Sequence, residues 1–386
     1  MNTMLGSLSP EQSALVDSLE GTLRRVSPPD RVQRLDAEKA FDSDLHAALG
    51  DLGVLGLGIP EALDGAGGDA RDQILMLELL ARRATSTGIY MVVHYLITGL
   101  LRDYANTAQR EEYLRPLARG RKFGAFCLTE AGGGTDILST MGTRARRIPG
   151  GWSLSGEKMW ISGATFCDFM IVLARTSEDR TRGITMFMVP GKGAGISARR
   201  LDTMAINGYP TCEVVLNDVR LPEDAVLGEV DMGFMQVLTA LNSERLNAAA
   251  AVNGIGRGAL EAAVAYAGER RAFGRPIGQF QALQHRLSAV SIAIEAAWAL
   301  VREAARSHVA GEPVEVISSM AKYASSKAAI QATDIGMEAM GAAGFDLRHP
   351  MQRYYRDCRL HVFAPLNNDM ILNFVGERWL HLPRCY

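Results

Sequence analysis

Phe126-Cys127-Leu128-Thr129-Glu130-Ala131-Gly132-Gly133-Gly134-Thr135-Asp136 decides how the rest of the chain is read. An apolar, strand-like run ends in a hydroxyl and a carboxylate, then enters three consecutive glycines closed by Thr-Asp. Glycine lets the backbone take φ > 0 and lets a flat ligand approach the main chain. The flanking threonines add hydroxyls able to bond ring nitrogens or phosphate oxygens. Taken alone, the stretch reads equally well as an ordinary glycine-rich turn. Gly156-Glu157-Lys158-Met159-Trp160-Ile161-Ser162-Gly163, about twenty residues on, tips the balance toward a binding site.

Around this stretch lie 386 residues, 47% of them hydrophobic, enough to bury a large core spread over two or three lobes. The net charge is −2 with the signs interspersed, which argues against a nucleic-acid surface or a polybasic membrane patch. No apolar run reaches the roughly 18 residues of a membrane-spanning helix. Met1-Asn2-Thr3-Met4-Leu5-Gly6 lacks the charged-then-apolar pattern of a signal peptide, so a cytoplasmic location is expected. Cys127, Cys167, Cys212, Cys358 and Cys385 are scattered without C-x-x-C spacing and read as reduced thiols, mostly core filler. The seven histidines show no metal-ligand spacing, and no metal site is expected.

Ser9-Pro10-Glu11-Gln12 is a helix start: a serine cap, proline at the first helical position and glutamine at the third. From there to about residue 120 the pattern is helical. Leu15, Leu19 and Leu23 recur at i+4, Leu45 and Leu49 likewise, and Leu75-Met76-Leu77-Glu78-Leu79-Leu80 continues the theme. Ile59-Pro60 through Gly67-Gly68 is expected as a loop. Tyr90-Met91-Val92-Val93-His94-Tyr95-Leu96 is nearly all apolar and should be buried, which makes His94 a hydrogen-bonded core histidine before a catalyst. Beyond Lys122, short β-prone runs follow at Phe123 to Leu128, Trp152 to Leu154, Phe169 to Ala174, Ile184 to Val189, Ile196 to Arg199 and Glu213 to Leu216. From Asp231 amphipathic segments return, at Phe234 to Arg271, Gln281 to Ala310, Val314 to Met340 and Met370 to Trp379. The expected fold class is α+β by segregation. An all-α domain covers residues 1–122, a small antiparallel, barrel-like β domain 123–230, and a helical bundle 231–386. Without βαβ alternation, the glycines do not signal a Rossmann fold.

Together the two opening segments resemble the flavin-binding strands of the acyl-CoA dehydrogenase family, and the likeness runs through nearly the whole chain. It implies bound FAD and the family's three-domain fold, ending in a four-helix bundle. It places Phe126, Leu128, Thr129 and Thr135 against the isoalloxazine, and Trp160 and Ser162 at the flavin's other edge. Tyr90 and His94 fall on the helix that walls the acyl pocket, which makes them pocket-lining candidates. Tyr266-Ala267-Gly268-Glu269-Arg270-Arg271-Ala272-Phe273-Gly274-Arg275-Pro276-Ile277, with Phe280-Gln281, is similar to the family's YAxxRxxFGxPIxxFQ signature. That match implies that Arg270, Phe273 and Gln281 serve the FAD of a neighbouring subunit, and hence a homo-oligomer, dimer or tetramer. An arginine suits a pyrophosphate because its fork bonds two oxygens at once. Glu338-Ala339-Met340-Gly341-Ala342-Ala343-Gly344-Phe345 corresponds to a QxxGGxGF turn at the adenosine half of FAD. Glu338 and Ala342 depart from its glutamine and second glycine, and Ala342 shifts the backbone if that position needs φ > 0.

The base that many members carry, a glutamate in a Y-E-G-T stretch, is missing. Tyr355-Arg356-Asp357-Cys358-Arg359-Leu360 keeps the anchor that precedes it. The continuation His361-Val362-Phe363-Ala364-Pro365-Leu366-Asn367-Asn368-Asp369 puts Pro365 in the glutamate's place, and leaves Asn367 and Asp369 as cofactor candidates. Proline neither abstracts a proton nor offers a backbone N–H to a thioester carbonyl. Isovaleryl-type members instead carry the base in an L-x-x-E-R sequence, matched here by Leu241-Asn242-Ser243-Glu244-Arg245. Glu244 is the candidate base and Arg245 its catalytic neighbour. As bare residues they read as a solvated helix pair, but Leu241, Leu246 and Ala248 to Ala251 imply burial. Burial raises a carboxylate toward the pKa that α-proton removal needs. The resemblance thus implies α,β-dehydrogenation of an acyl thioester on coenzyme A or acyl carrier protein. An electron-transfer flavoprotein is the default acceptor, and the divergent C-terminal stretch leans toward a specialised, biosynthetic member. The lost glutamate also fits a flavin-dependent monooxygenase or oxidase on the same fold, a reading that the intact flavin strands and L-x-x-E-R match oppose. A non-catalytic flavoprotein is a third reading, against which the complete flavin set stands.

Overall fold

A computed structural model describes residues 8–384. The stretch read for a signal peptide and Cys385 lie outside the described residues. Ser9 caps α1 (Pro10–Val26) as its sequence predicts. Its side chain accepts from the Gln12 N–H at 3.2 Å, while the Gln12 side chain accepts from the Ser9 N–H at 3.3 Å. α2 (Pro29–Glu38), α3 (Ser43–Asp51), α4 (Ala70–Arg83) and α5 (Thr85–Tyr104) follow. Their i+4 leucines share a face, and Leu19, Leu23, Leu45 and Leu49 are all buried. A last helix combines α6 (Thr107–Gln109) and α7 (Arg115–Ala118) through a π turn at Arg110–Leu114. Pro116 lacks the N–H that a regular ladder would use, and the wider turn sits beside that gap.

The chain then changes period. β1 (Gly124–Cys127), a helical turn α8 (Ile137–Thr140), β2 (Arg144–Ile148), β3 (Gly151–Ser162) and β4 (Phe169–Arg175) come first. β5 (Ile184–Pro190), β6 (Ile196–Arg200), β7 (Thr211–Pro222) and β8 (Val226–Leu227) complete an eight-stranded sheet. Its order is β6-β7-β3-β2-β4-β5-β8, with β1 also on β4. β4 is buried along its whole length and reads accordingly as a continuous apolar run. Most pairs are antiparallel as expected, but β1 runs parallel to β4, Gly124 opposite Phe169, and the start of β2 touches β4 in the same sense. β2 escapes the sequence pattern because Ala145 is its one buried residue among exposed arginines. β3 and β7 outrun their β-prone centres, each to 12 residues, because they pair with each other nearly end to end.

Helix returns with α9 (Gly233–Glu269), followed by the hairpin β9 (Arg271–Ala272) and β10 (Arg275–Pro276). α10 (Gln281–Val309), α11 (Glu315–Met340), α12 (Ala342–Phe345), α13 (Met351–Asp357) and α14 (Asn368–Arg378) complete the chain. α9 and α11 lie parallel at one offset of 73 residues: 242 meets 315, 256 faces 329, and 263 faces 336. Small residues make the approach close. A Cβ on Gly256 would stand 2.9 Å from Ala329 Cα, and one on Gly254 would stand 2.1 Å from the Glu78 carbonyl oxygen of α4.

α13, too polar to show an apolar period, is the joint of the fold. Arg356 donates to the Met204 carbonyl at 2.8 Å and to Asp36 Oδ2 at 2.7 Å. The buried Asp357 accepts from the Ile206 N–H at 2.9 Å and from the Thr85 hydroxyl. Two adjacent side chains thus tie α2, α5 and the loop before β7 together. They also hold Ile206 at φ +56°, a left-handed conformation that a β-branched residue rarely adopts.

Candidate active site

The glycine-rich stretch after β1 is pinned from beneath by a buried ion pair. Lys158 of β3 donates to Glu130 Oε1 at 2.8 Å and to the Leu128 carbonyl at 3.1 Å. Glu130 also accepts from the backbone N–H groups of Gly142 (2.6 Å) and Thr143 (3.0 Å). Burial alone would raise the Glu130 carboxyl, but Lys158 and these donors hold it below its usual range, so it stays ionised. The Met159 N–H donates to the Thr129 carbonyl at 2.9 Å, which lashes the loop to β3. Thr135 is left exposed, while Phe126, Leu128 and Thr129 are partly buried. Replacing Lys158 by methionine leaves Glu130 without its cation. The purified variant is expected to carry less flavin, read as its ratio of flavin to protein absorbance.

β3 then does something a regular strand does not. Its register with β7 shifts between Lys158 and Ile161, and Trp160 sits in the bulge at φ +64°. A left-handed conformation is an outlier for a bulky aromatic residue, and a bulge is the device that re-aims one side chain off the sheet. Trp160 is accordingly 59% exposed, between a partly buried Met159 and a buried Ile161. Ser162, two residues on, is partly buried and its carbonyl accepts from the Tyr209 hydroxyl at 3.5 Å.

Glu244 stands near the start of α9. Gly233 begins that helix against β5, where a Cβ would come within 2.6 Å of the Met186 nitrogen. The next turns pack Phe234, Ala240 and Leu241 into one apolar cluster with Phe126, Leu128, Val93 and Tyr104. The end of β1 and the approach to Glu244 therefore share a floor. Burial pushes the Glu244 carboxyl up to about 7, with Arg245 pulling the other way. Arg245 is itself partly buried, which draws it below its usual range, and it donates to Asn242 Oδ1 at 2.8 Å.

Three family models cover the chain: the acyl-CoA dehydrogenase N-terminal domain matches residues 9–121, the middle domain 125–219 and the C-terminal domain 231–380. The chain belongs to the acyl-CoA dehydrogenase family. It is 33% identical over 353 residues to the 3-(aryl)acrylate reductase of Clostridium sporogenes, spanning 91% of this chain and 93% of that one. To the mitochondrial short-chain specific acyl-CoA dehydrogenase of Rattus norvegicus it is 33% identical over 357 residues, 92% and 85% of the two chains. The solved butyryl-CoA dehydrogenase of Megasphaera elsdenii matches with a TM-score of 0.92 at 30% identity, over 98% of this chain and all of that one.

As an acyl-CoA dehydrogenase the protein is a flavoprotein oxidoreductase of CH–CH groups, with FAD as cofactor. The residues present fit that group: the out-turned Trp160 of β3 follows directly on Met159, whose N–H lashes the pinned glycine loop to the same strand. Not all expected flavin residues lie there, however. Arg270, Phe273 and Gln281 are exposed at the far end of α9, roughly 39 Å along the helix from Glu244. Phe273 and Gly274 form a two-residue hairpin loop with both φ positive, +49° and +80°, and the phenylalanine ring is 95% exposed. Glu338 pairs with Arg286 across α10 and α11. The positive φ in its turn falls on Gly341, at +56°, and not on Ala342, so the alanine is accommodated without strain. Asn367 caps α14 by accepting from the Asp369 N–H at 2.8 Å, and Asp369 is exposed.

The acyl-CoA dehydrogenase interior holds the expected core histidine and residues that no motif announces. Tyr90 and His94 are both buried, with the Tyr90 hydroxyl 3.2 Å from His94 Nδ1 and His94 Nε2 2.8 Å from the Leu55 carbonyl, which makes His94 a hydrogen-bonded core histidine. The carbonyl only accepts, so Nε2 carries the proton, and burial lowers the imidazole to about 4. Lys322 of α11, wholly buried, donates to the Leu366 carbonyl at 2.6 Å and to Asn368 Oδ1 at 2.9 Å. It thereby latches the turn that bears Pro365. Its signal is faint, one of two lysines in a small-residue helix. Among the described residues no group of three or more His, Cys, Asp or Glu could hold a metal ion, and no helix is long and apolar enough to cross a membrane.

Proposed function

We propose that this acyl-CoA dehydrogenase uses Glu244 to remove the α-proton of an acyl thioester. The observation that supports it is a carboxyl raised by burial to about 7, on a helix sharing its apolar floor with Phe126 and Leu128. Such a group is half ionised near neutral pH and basic enough to take an acidified α-proton. The positive charge of Arg245 offsets the negative charge that develops as that proton leaves. Bound FAD supplies the acceptor for the β-hydrogen, which departs with its electron pair. Phe126, Leu128, Thr129, Thr135, Trp160 and Ser162 hold the isoalloxazine. Arg270, Phe273 and Gln281, with Glu338 and Ala342, serve the FAD of a second copy, so the working unit is a homo-oligomer. Asn367 and Asp369 border the same cofactor. Coenzyme A carries the acyl group, with a carrier protein as the alternative carrier, and an electron-transfer flavoprotein in the cytoplasm takes the electrons.

The relatives' names, short-chain specific and 3-(aryl)acrylate, direct the choice of acyl groups for the test. The oxidised protein is titrated without oxygen with butyryl, isovaleryl and 3-arylpropionyl thioesters of coenzyme A and of carrier protein. Bleaching of the flavin absorbance by at least one of them is expected. No bleaching by any, together with fast reoxidation of the reduced flavin in air, would overturn the dehydrogenase reading in favour of an oxygen-using flavoenzyme.

A further inference from the structure

Arg245 is a guanidinium without a carboxylate partner. Among the described residues no acid lies within ion-pair distance of it, and its side chain is held one helical turn back by a neutral amide, Asn242 Oδ1 at 2.8 Å. The other end of that amide is also in use. Asn242 Nδ2 donates to Glu315 Oε1 at 3.4 Å, so the asparagine stands between the arginine and the acid that opens α11. Glu315 is exposed at the N-terminus of a 26-residue helix.

The electrostatic consequence depends on the residue at 242 being an amide. A carboxylate at 2.8 Å would orient the guanidinium equally well but cancel its charge. An amide orients it and leaves the charge standing. We infer that Asn242 is a positioning residue of this active site, fixing Arg245 in place while keeping its charge available to Glu244 and to the reacting thioester. The inference rests on Glu244 being the base.

The groups that reach this part of α9 from its neighbours are few. α11 contributes Glu315, which draws on Arg245. α5 contributes the Tyr104 hydroxyl, which donates to the Gln236 carbonyl at 3.4 Å, and β5 contributes backbone at Thr185 and Met186. On α9 itself Arg245 is the charged neighbour of Glu244 and works to keep it ionised. Neutralising Arg245 therefore raises the pH at which Glu244 ionises, and removing the competing acid at 315 lowers it.

The test is the pH dependence of anaerobic flavin reduction by a thioester that bleaches the wild-type protein, for Asn242→Asp and Glu315→Gln. Asn242→Asp is expected to move the acid-side midpoint up by about half a unit or more. That shift makes the rate at pH well below the midpoint about threefold lower relative to the variant's own alkaline plateau. Glu315→Gln is expected to move the midpoint down, an opposite sign that a general loss of packing does not produce. A midpoint unmoved or lowered in Asn242→Asp, or unmoved or raised in Glu315→Gln, overturns the inference. If Glu244→Gln keeps the wild-type rate and acid limb, it is the assignment of the base that has failed, and the two failures are thereby distinguishable.

Discussion

Glu244→Gln is expected to bind flavin at the wild-type level and to lose thioester-driven bleaching by about 10²- to 10⁴-fold, the usual contribution of a positioned general base. Glutamine keeps the shape and cannot take a proton, so the loss separates proton transfer from substrate fit. The wild-type rate should rise with pH through a midpoint near 7, because the ionised form is the active one. The same shift works against folding. Glu244 ionises at about 7 in the folded chain against an ordinary 4.5, so the folded state holds a proton that the unfolded state has already released between those values. Stability therefore falls as pH rises through that window, by at most about 3 kcal/mol, and is not affected below it. Glu244→Gln should consequently unfold at a higher temperature than wild type at pH 8 and at nearly the same temperature at pH 4.5. Equal unfolding temperatures at both pH values, or bleaching that survives the change, would remove Glu244 from the role of buried base.

Arg257→Met should be the most destabilising single change away from the site. Arg257 is wholly buried on α9, with Nε 2.8 Å from Glu78 Oε1 of α4 and Nη1 on Glu295 of α10. Arg82, one turn along α4 from Glu78, extends the array to Glu261 at 2.7 Å. Removing the central cation takes the nearest positive charge from the buried Glu78, leaving it only Arg82 at 4.0 Å, and from the partly buried Glu295. Breaking a buried pair in this way costs about 3–5 kcal/mol, whereas apolar replacement of all the partners costs far less. Burial already raises Glu78, with Arg257 and Arg82 opposing it. Without Arg257 the carboxyl rises further and folds preferentially protonated. The deficit of the variant should therefore shrink as the pH is lowered toward 5 and grow toward 8, measured as the difference in urea midpoint from wild type. A deficit under about 1 kcal/mol at pH 8 would show that the array contributes no net hold on the three helices.

Much of this molecule was legible before any coordinates. The i+4 leucines of α1 and α3, the Ser9 cap and the long apolar stripes of α9, α10 and α11 are local, periodic signals, and local signals survive in one dimension. The burial around Glu244 was legible for a related reason, a carboxylate flanked by Leu241, Leu246 and four alanines, while its candidacy as base came from the L-x-x-E-R resemblance. What escaped depends on partners far away in the chain. β2 is a strand because β3 pairs with it, and α13 is a helix whose value lies in holding Asp36, Thr85 and Ile206. Lys322 and Arg257 are buried cations whose acceptors lie on other elements. The bulge at Trp160 belongs to the same class, since a one-residue slip between β3 and β7 leaves no trace in composition. Residues 270–281 were recognisable as a motif, but a single chain holds them an entire helix away from Glu244.

The fixed offset between α9 and α11 makes the bundle a ruler. Gly256 against Ala329 and Ala263 against Gly336 are the graduations, and Glu244 is read off against them three turns away. One residue added between Glu244 and Gly256 would swing the carboxylate about 100° around the helix while every graduation beyond it stayed in place. Length in this stretch is therefore held as tightly as side-chain identity. Insertions belong to the turns that join the helices, because a single residue added between Glu244 and Gly256 turns the carboxylate away from the apolar floor it approaches here.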